Sequence, residues 1–137
     1  MLPIKDQILK LEKILNTMPD TATNGDGTYP VEHYFHCGIY TRKISIPAGV
    51  LLTTYIHKKS HPTVLLTGKC FVYDEFNKQQ ELEAPQLIFT KAGTKRVIYV
   101  IEDCIWLTMH QTNKLTVEEA EKELSTLDYK EMDMEEI

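Results

Sequence analysis

The pattern of apolar and polar positions divides the chain into a helix, a long region of short strands and a second helix. Near the N-terminus, apolar residues recur at helical spacing among lysines and acids: Ile4, Ile8, Leu11 and Leu15. This spacing predicts an amphipathic helix within residues 1–18. Turn-forming residues dominate the next segment, PDTATNGDGTYP, so we predict a loop over residues 19–30.

Between residues 31 and 112, short runs rich in β-branched and aromatic residues alternate with turn signals. The runs are YTRKISI, VLLTTYI, TVLLTG, KCFVYDE, QLIFT, RVIYVIE and CIWLTMH, and the separators are PAG, HKKSHP, FNKQQE, KAG and ED. About seven strands at this spacing, with no convincing helix among them, predict an all-β sandwich or barrel.

A second helix is indicated after the last strand. Thr116 followed by Glu119 is a capping-box pattern, which marks a helix start. Three apolar residues then share one helical face: Ala120, Leu124 and Leu127. We therefore predict a C-terminal helix over residues 113–128 whose apolar face packs inward, followed by an acidic tail over residues 129–137.

Composition and charge exclude several classes of protein. The chain has 137 residues, of which 42% are hydrophobic and 26% charged, as expected for one globular domain. The net charge of −5 argues against nucleic-acid binding by bulk electrostatics. No apolar stretch is long enough to span a membrane, and the charged start MLPIKDQILKLEKIL does not resemble a secretory signal.

The chain has three cysteines, Cys37, Cys70 and Cys104, and no CxxC motif. An odd, widely spaced set argues against a disulfide framework or a thiolate zinc site, so we expect a protein of the reducing cytoplasm. Cys70 and Cys104 fall in apolar runs and are predicted to be core residues. Trp106 alternates with Cys104 and is assigned to the core or to an interface.

Two long stretches resemble the two halves of a cupin domain: IPAGVLLTTYIHKKSHPTVLLTGKCFVY and APQLIFTKAGTKRVIYVIEDCIWLTMH. More narrowly, GIYTRKISIPAG, AGTKR and EDCIWLTMH resemble small cupin-like proteins of tailed bacteriophages and prophages, most of which have no known function. The resemblance covers residues 31–127 and implies a double-stranded antiparallel β-helix, or jelly roll, with a barrel over residues 31–112 and flanking α-helices. It also implies a homo-oligomer of at least two chains, in the host cytoplasm if the protein is phage-encoded.

The resemblance places part of a metal-binding motif on this chain. Metal-binding cupins carry two histidines separated by one residue, then a glutamate and a glycine, and a last histidine after a proline-x-glycine turn. Counted back from Gly68, the first three positions fall on Tyr55, His57 and His61. The last position falls on Arg96, which stays protonated and cannot be an ordinary metal ligand.

Three interpretations of this region stay open. Our leading hypothesis is a barrel that binds a small anionic ligand through four side chains: Tyr55, His57, Lys95 and Arg96. The second is a metal-dependent enzyme of isomerase or dioxygenase type, in which Fe, Mn, Ni or Zn is bound by His57, His61 and His110. The third is a structural or host-interaction protein whose barrel is only a scaffold, with Arg96 in an internal salt bridge to Glu102 or Asp103.

Overall fold

The computed structural model describes residues 2–17 and 29–130. These residues form, in chain order, α1 (Ile4–Leu15), β1 (Val31–His36), β2 (Ile39–Ile46), β3 (Leu51–Thr53), β4 (Ile56–His57), β5 (His61–Asp74), β6 (Lys78–Glu83), β7 (Gln86–Thr90), β8 (Val97–Gln111), α2 (Val117–Leu124) and β9 (Ser125–Thr126). Neither α1 nor α2, the helices of this described part, has the length and apolar character that crossing a membrane requires. Most of the predicted loop over 19–30 and of the predicted tail over 129–137 lies outside the described residues.

An antiparallel sheet wraps around the core, and its two longest strands, β5 and β8, join the layers. The main strand order is β1-β2-β8-β5-β6, with β3 paired to β8 and β7 paired to β5. The first half of β8 pairs with β3 and its second half with β2. The first half of β5 pairs with β7 and its second half with β6. Each long strand therefore belongs to both layers, which confirms the predicted all-β jelly roll flanked by two helices.

The prediction divides the long strands where the structure does not. TVLLTG and all but the last residue of KCFVYDE belong to β5, and CIWLTMH and all but the first residue of RVIYVIE belong to β8. Gly68 has a φ of +93°, and a Cβ at this position would collide with the carbonyl of Asp103. The pairing with β8 shifts register around Gly68, so β5 bends at bulges without ending.

The separator FNKQQE is also assigned wrongly, because Lys78–Glu83 form strand β6. This strand lies at the edge of the sheet, and only Leu82 in it is buried. An edge strand with most side chains in solvent lacks the apolar alternation from which strands are predicted.

The core lies between the two layers of the sheet and confirms the predicted positions of both strand cysteines. Cys70 is 0% exposed and Cys104 is 1% exposed. Trp106, at 4% exposure, is also a core residue. The remaining buried members of this cluster are Ile44, Ile46, Leu52, Leu65, Val72, Leu82, Ile98 and Val100.

Helix α1 packs on the outside of the barrel through apolar and charged contacts. Its buried residues are Ile8 and Leu15, two of the four in the predicted stripe. Lys95 Nζ lies 2.7 Å from Glu12 Oε2 of the helix. Thr53 Oγ1 of β3 donates to the same carboxylate oxygen at 2.7 Å. A buried charge therefore lies between α1 and the barrel.

The C-terminal helix is shorter than predicted. It begins with the predicted cap, since Thr116 Oγ1 accepts a hydrogen bond from Glu119 N at 3.3 Å, but it ends at Leu124 and not at residue 128. Residues 125–126 are extended and form β9 beside β4. The prediction that Leu127 packs inward is wrong: the residue is 58% exposed, because helical spacing no longer applies beyond Leu124.

Candidate metal centre

Three histidines from three different strands converge in the barrel. His57 belongs to β4, His61 begins β5, and His110 is the second-last residue of β8. Their candidate ligand nitrogens all lie within 4.8 Å of one another. The ring centroids of His61 and His110 are 3.9 Å apart, and those of His57 and His61 are 4.6 Å apart. The structure therefore brings together the three residues named as candidate metal ligands.

Strand register explains how His61 and His110 meet. The antiparallel pairing of β5 with β8 places Thr63 opposite Thr108. His61 lies two residues before Thr63, and His110 lies two residues after Thr108. Because side chains return to the same face every two residues and the strands are antiparallel, His61 and His110 lie across from each other. His57 joins them from β4, which leaves the main sheet and pairs with Ser125 of β9.

The hydrogen bonding of His61 defines its tautomer. Its Nδ1 lies 3.0 Å from the carbonyl oxygen of Lys59, and a carbonyl can only accept, so Nδ1 carries the proton. The other nitrogen, Nε2, then has a free lone pair. It is buried and has no hydrogen-bond partner among the described residues. A histidine with one nitrogen fixed by a carbonyl and the other bare is typical of metal ligands.

Burial keeps all three imidazoles neutral, as metal binding requires. Desolvation lowers the pKa of His61 to about 4, against the raising effect of its hydrogen bond to Lys59. Desolvation and the nearby His61 lower the pKa of His110 to about 3. Desolvation likewise holds the pKa of His57 well below its ordinary value.

The spacing of the nitrogens is close to what a metal ion needs. Nitrogens that each lie about 2.0–2.1 Å from a zinc ion cannot be more than about 4.2 Å apart. The candidate ligand nitrogens lie within 4.8 Å of one another, and small side-chain rotations can bring them within about 4.2 Å. The donor set therefore fits a transition metal ion.

Arg96 lies in the same cavity, but its charge is compensated. Its Nε donates to Asp74 Oδ2 at 3.3 Å, and its Nη1 donates to Thr90 Oγ1 at 3.0 Å. The side chains of Arg96 and Asp74 are 5% and 1% exposed. The predicted internal salt bridge thus exists, but its partner is Asp74 and not Glu102 or Asp103. This pairing reduces the repulsion that Arg96 would exert on a bound cation.

The structure removes Lys95 from the predicted ligand-binding set. Its side chain is 0% exposed and contacts Glu12 of α1. Its ammonium also donates to the carbonyl of Thr54. Lys95 is not among the residues that line the cavity. As the immediate neighbour of Arg96 it points to the other side of the chain, towards the helix.

His57 and His110 border a cavity of about 100 Å³. Three of the predicted ligand-binding residues line it: Tyr55, His57 and Arg96. Sequence reasoning missed Tyr40 and Arg42, which also line it. Both lie on the same face of β2 as the buried Ile44 and Ile46, and a charged residue on such a face was the available signal.

Comparison with solved structures identifies the fold as the cupin double-stranded β-helix. An RmlC-like cupin family protein from Methanocaldococcus jannaschii, described as having this fold, is 13% identical with a TM-score of 0.51; the match covers 69% of this chain and 93% of that one. A cupin 2 domain-containing protein from Halorhodospira halophila is 11% identical with a TM-score of 0.53, over 64% of this chain and 67% of that one. The Cnp3 cupin domain of Schizosaccharomyces pombe is 15% identical with a TM-score of 0.50, over 68% and 64%.

At these identities the likeness shows the fold and not the activity. The sequence matches no family model and no curated protein. The bacteriophage part of the resemblance therefore stays a prediction.

Proposed function

We propose that this protein is a metal-dependent cupin in which His57, His61 and His110 bind a divalent transition metal ion. The observation that carries the proposal is the buried Nε2 of His61, which has no partner among the described residues and faces two other neutral imidazoles. Leaving a buried polar atom unsatisfied costs about 1–3 kcal/mol, and metal binding would remove that cost. Three imidazoles without a carboxylate favour Zn, Fe or Ni over Mn, which prefers oxygen ligands.

The arrangement supports the enzyme hypothesis above the simple anion-binding hypothesis. Three protein ligands leave a coordination position open, where a bound ion can polarise a substrate or lower the pKa of a water molecule. The anion hypothesis without a metal is weaker because Lys95 and Arg96 already have carboxylate partners. The scaffold hypothesis leaves the bare nitrogen of His61 unexplained. An isomerase or a dioxygenase is the reaction class we propose.

The cavity residues of this chain would bind and orient a substrate beside the histidines. His110 also borders a wider crevice of about 550 Å³ that includes Lys59 and Glu123, which offers a route from solvent to the centre. A cytoplasmic location is part of the proposal, because Cys37, Cys70 and Cys104 are all free thiols, as in a reducing compartment.

Metal titration of the tag-free protein, stripped with EDTA, tests the proposal. We expect about one Zn²⁺ or Co²⁺ per chain by calorimetry and elemental analysis. Replacing an outer-shell partner of a metal ligand costs about 10–100-fold in affinity. We expect His61→Ala, which removes a ligand itself, to cost more.

The matched control is His36→Ala, because His36 is exposed on β1 and away from the histidine cluster. This variant should bind metal like the unaltered protein. Absence of stoichiometric binding for Zn²⁺, Fe²⁺, Ni²⁺ and Mn²⁺ would contradict the proposal. So would equal metal affinity in the unaltered protein and the His61→Ala variant.

A further inference from the structure

Arg96 keeps hydrogen-bonding capacity that the fold does not use. A guanidinium carries five N–H donors in a planar fork. The Nε of Arg96 donates to Asp74 at 3.3 Å, and its Nη1 donates to Thr90 at 3.0 Å. Its Nη2 makes no hydrogen bond to a described residue, yet it does not belong to the atoms that lack both a partner and solvent contact. This nitrogen is therefore available to a molecule in the cavity that Arg96 lines.

Buried partners hold the guanidinium of Arg96 in one orientation. The side chain of Asp74 is 1% exposed, and Thr90 is also 1% exposed. Thr90 Oγ1 is in turn fixed by Thr63 Oγ1 at a distance of 2.7 Å. Because the side chain is already ordered, a ligand that binds its Nη2 loses little affinity to the ordering of the arginine.

The same contacts place the guanidinium beside the proposed metal centre. Thr90 of β7, which accepts from Arg96, pairs directly with His61 of β5, and side chains opposite each other have Cβ atoms about 4.5–5.5 Å apart. Desolvation is the main reason for the low pKa values of His57 and His61, and the nearby charge of Arg96 lowers both further. His57 and His110 line the same cavity as Arg96. A molecule of a few non-hydrogen atoms can therefore contact both Arg96 and a metal ion on the histidines.

The charges around the cavity indicate that this molecule is an anion. Asp74 compensates the charge of Arg96, and the other charged lining residues, Arg42 and Glu121, have opposite signs. The histidines are neutral, so the two positive charges of a divalent ion have no counter-charge among the described lining residues. In a site from which bulk water is largely excluded, an anion between the ion and Arg96 is attracted to both.

The size of the cavity and its two positive groups narrow the class further. Pockets for drug-sized ligands measure about 300–1,000 Å³, so a cavity of about 100 Å³ takes only a few non-hydrogen atoms. The planar fork of an arginine matches the geometry of a carboxylate. A metal ion with three protein ligands has a position open for a further oxygen. A carboxylate with a second oxygen on the neighbouring carbon supplies both contacts within this size.

We propose that the cavity binds a short 2-hydroxy or 2-oxo carboxylate. Its carboxylate accepts a hydrogen bond from Arg96 Nη2, and its 2-oxygen faces the metal ion. Arg96 is thus a specificity-determining residue and not only one half of an internal salt bridge. This inference names the substrate class of the proposed function and rests on it.

Calorimetric titration of the Zn²⁺-loaded full chain with three probes tests the inference. Glycolate carries both groups, glycolamide lacks the negative charge, and acetate lacks the hydroxyl group. A hydrogen bond to a charged group corresponds to a factor of about 10 to 100, so glycolate should bind at least about tenfold more tightly than glycolamide. Glycolate should also bind more tightly than acetate, and it should change the visible absorption of the Co²⁺-loaded protein.

Arg96→Lys is the main variant, because lysine keeps a positive charge beside Asp74 but lacks the fork of the guanidinium. It should weaken glycolate binding by a factor of about 10 to 100, with unchanged Zn²⁺ affinity. A second variant, Arg96→Gln with Asp74→Asn, removes both charges of the buried pair and leaves neither uncompensated. It should lose the preference for glycolate in the same way.

Two comparison variants separate Arg96 from other cations. Lys43→Gln is the matched control, because Lys43 pairs with Glu32 at 3.4 Å and does not line the cavity. It should bind glycolate like the unaltered protein. Arg42 is the second arginine that lines the cavity, and Arg42→Lys should weaken glycolate binding less than Arg96→Lys.

The outcomes separate the inference from the metal proposal. A protein that binds no metal overturns both. A protein that binds Zn²⁺ but binds glycolate no more tightly than glycolamide or acetate overturns this inference alone. Unchanged glycolate affinity in both Arg96 variants, a larger loss in Arg42→Lys, or an unchanged Co²⁺ spectrum with glycolate also overturns it.

Discussion

The ion pair between Glu12 and Lys95 provides a quantitative test of how α1 is attached to the barrel. The Lys95 side chain is 0% exposed and the Glu12 side chain 13% exposed, with 2.7 Å between Nζ and Oε2. Burial lowers the pKa of Lys95, which is partly offset by its hydrogen bond and attraction to Glu12. The substitution Glu12→Gln keeps the size of the side chain but removes the negative charge that lies 2.7 Å from Lys95 Nζ.

Removing one partner of a buried ion pair costs about 3–5 kcal/mol, because the other charge stays buried without compensation. Lys95 keeps the carbonyl of Thr54 as an acceptor, so we expect the lower end, about 3 kcal/mol. This is a large part of the 5–15 kcal/mol that stabilises a typical domain. Combining Glu12→Gln with Lys95→Met removes both charges and should cost clearly less than the sum of the single changes.

Urea unfolding at pH 7, followed by Trp106 fluorescence and by circular dichroism, measures these free energies. Glu32→Gln is the matched control, since Glu32 pairs with Lys43 at 3.4 Å with side chains that are 55% and 32% exposed. A surface pair of this kind contributes at most about 1 kcal/mol. The reasoning is refuted if Glu12→Gln costs no more than this control. It is also refuted if Glu12→Gln costs as much in the Lys95→Met background as in the unaltered protein.

Two further predictions concern alkaline stability and assembly. Burial raises the pKa of Tyr40 to about 12, and its hydroxyl lies 2.6 Å from His33 Nδ1. The stability that this tyrosine contributes is present below pH 10 and is lost as pH rises from 10 to 12. The free energy of unfolding, measured with urea at each pH, should therefore fall more steeply with rising pH in the unaltered protein than in Tyr40→Phe. The two slopes should differ by up to about 1.4 kcal/mol per pH unit, and parallel slopes would show the reasoning to be wrong. Leu87 and Phe89 of β7 are 58% and 76% exposed. We expect them to pack against a second copy of the chain, so light scattering should show an oligomer that Phe89→Ser, but not the loop control Leu115→Ser, converts to monomer.

Local patterns were sufficient to predict the fold class, because strands that are buried on one side alternate in polarity. The same reasoning could not find the continuity of β5 through Gly68. The bulge there depends on the carbonyl of Asp103, which is distant in sequence. It also missed β6, whose edge position leaves most of its side chains in solvent. The hydrophobic periodicity of the sequence thus does not show features that depend on residues distant along the chain.

In the candidate site, too, some residues could be predicted from a local motif and others only from contacts between distant parts of the chain. The resemblance to the cupin motif, counted back from Gly68, put His57 at a histidine position and His61 at the glutamate position, and both lie in one short segment. The third imidazole comes from His110, and only the register of β5 against β8 places it opposite His61. At the position where the motif expects a histidine, Arg96 pairs instead with Asp74, a residue 22 positions away. Of the three imidazoles that converge, only His57 therefore falls at a histidine position of the motif. Arg96, which in the sequence argued against a metal, has a carboxylate partner in the fold that reduces its repulsion of a bound cation.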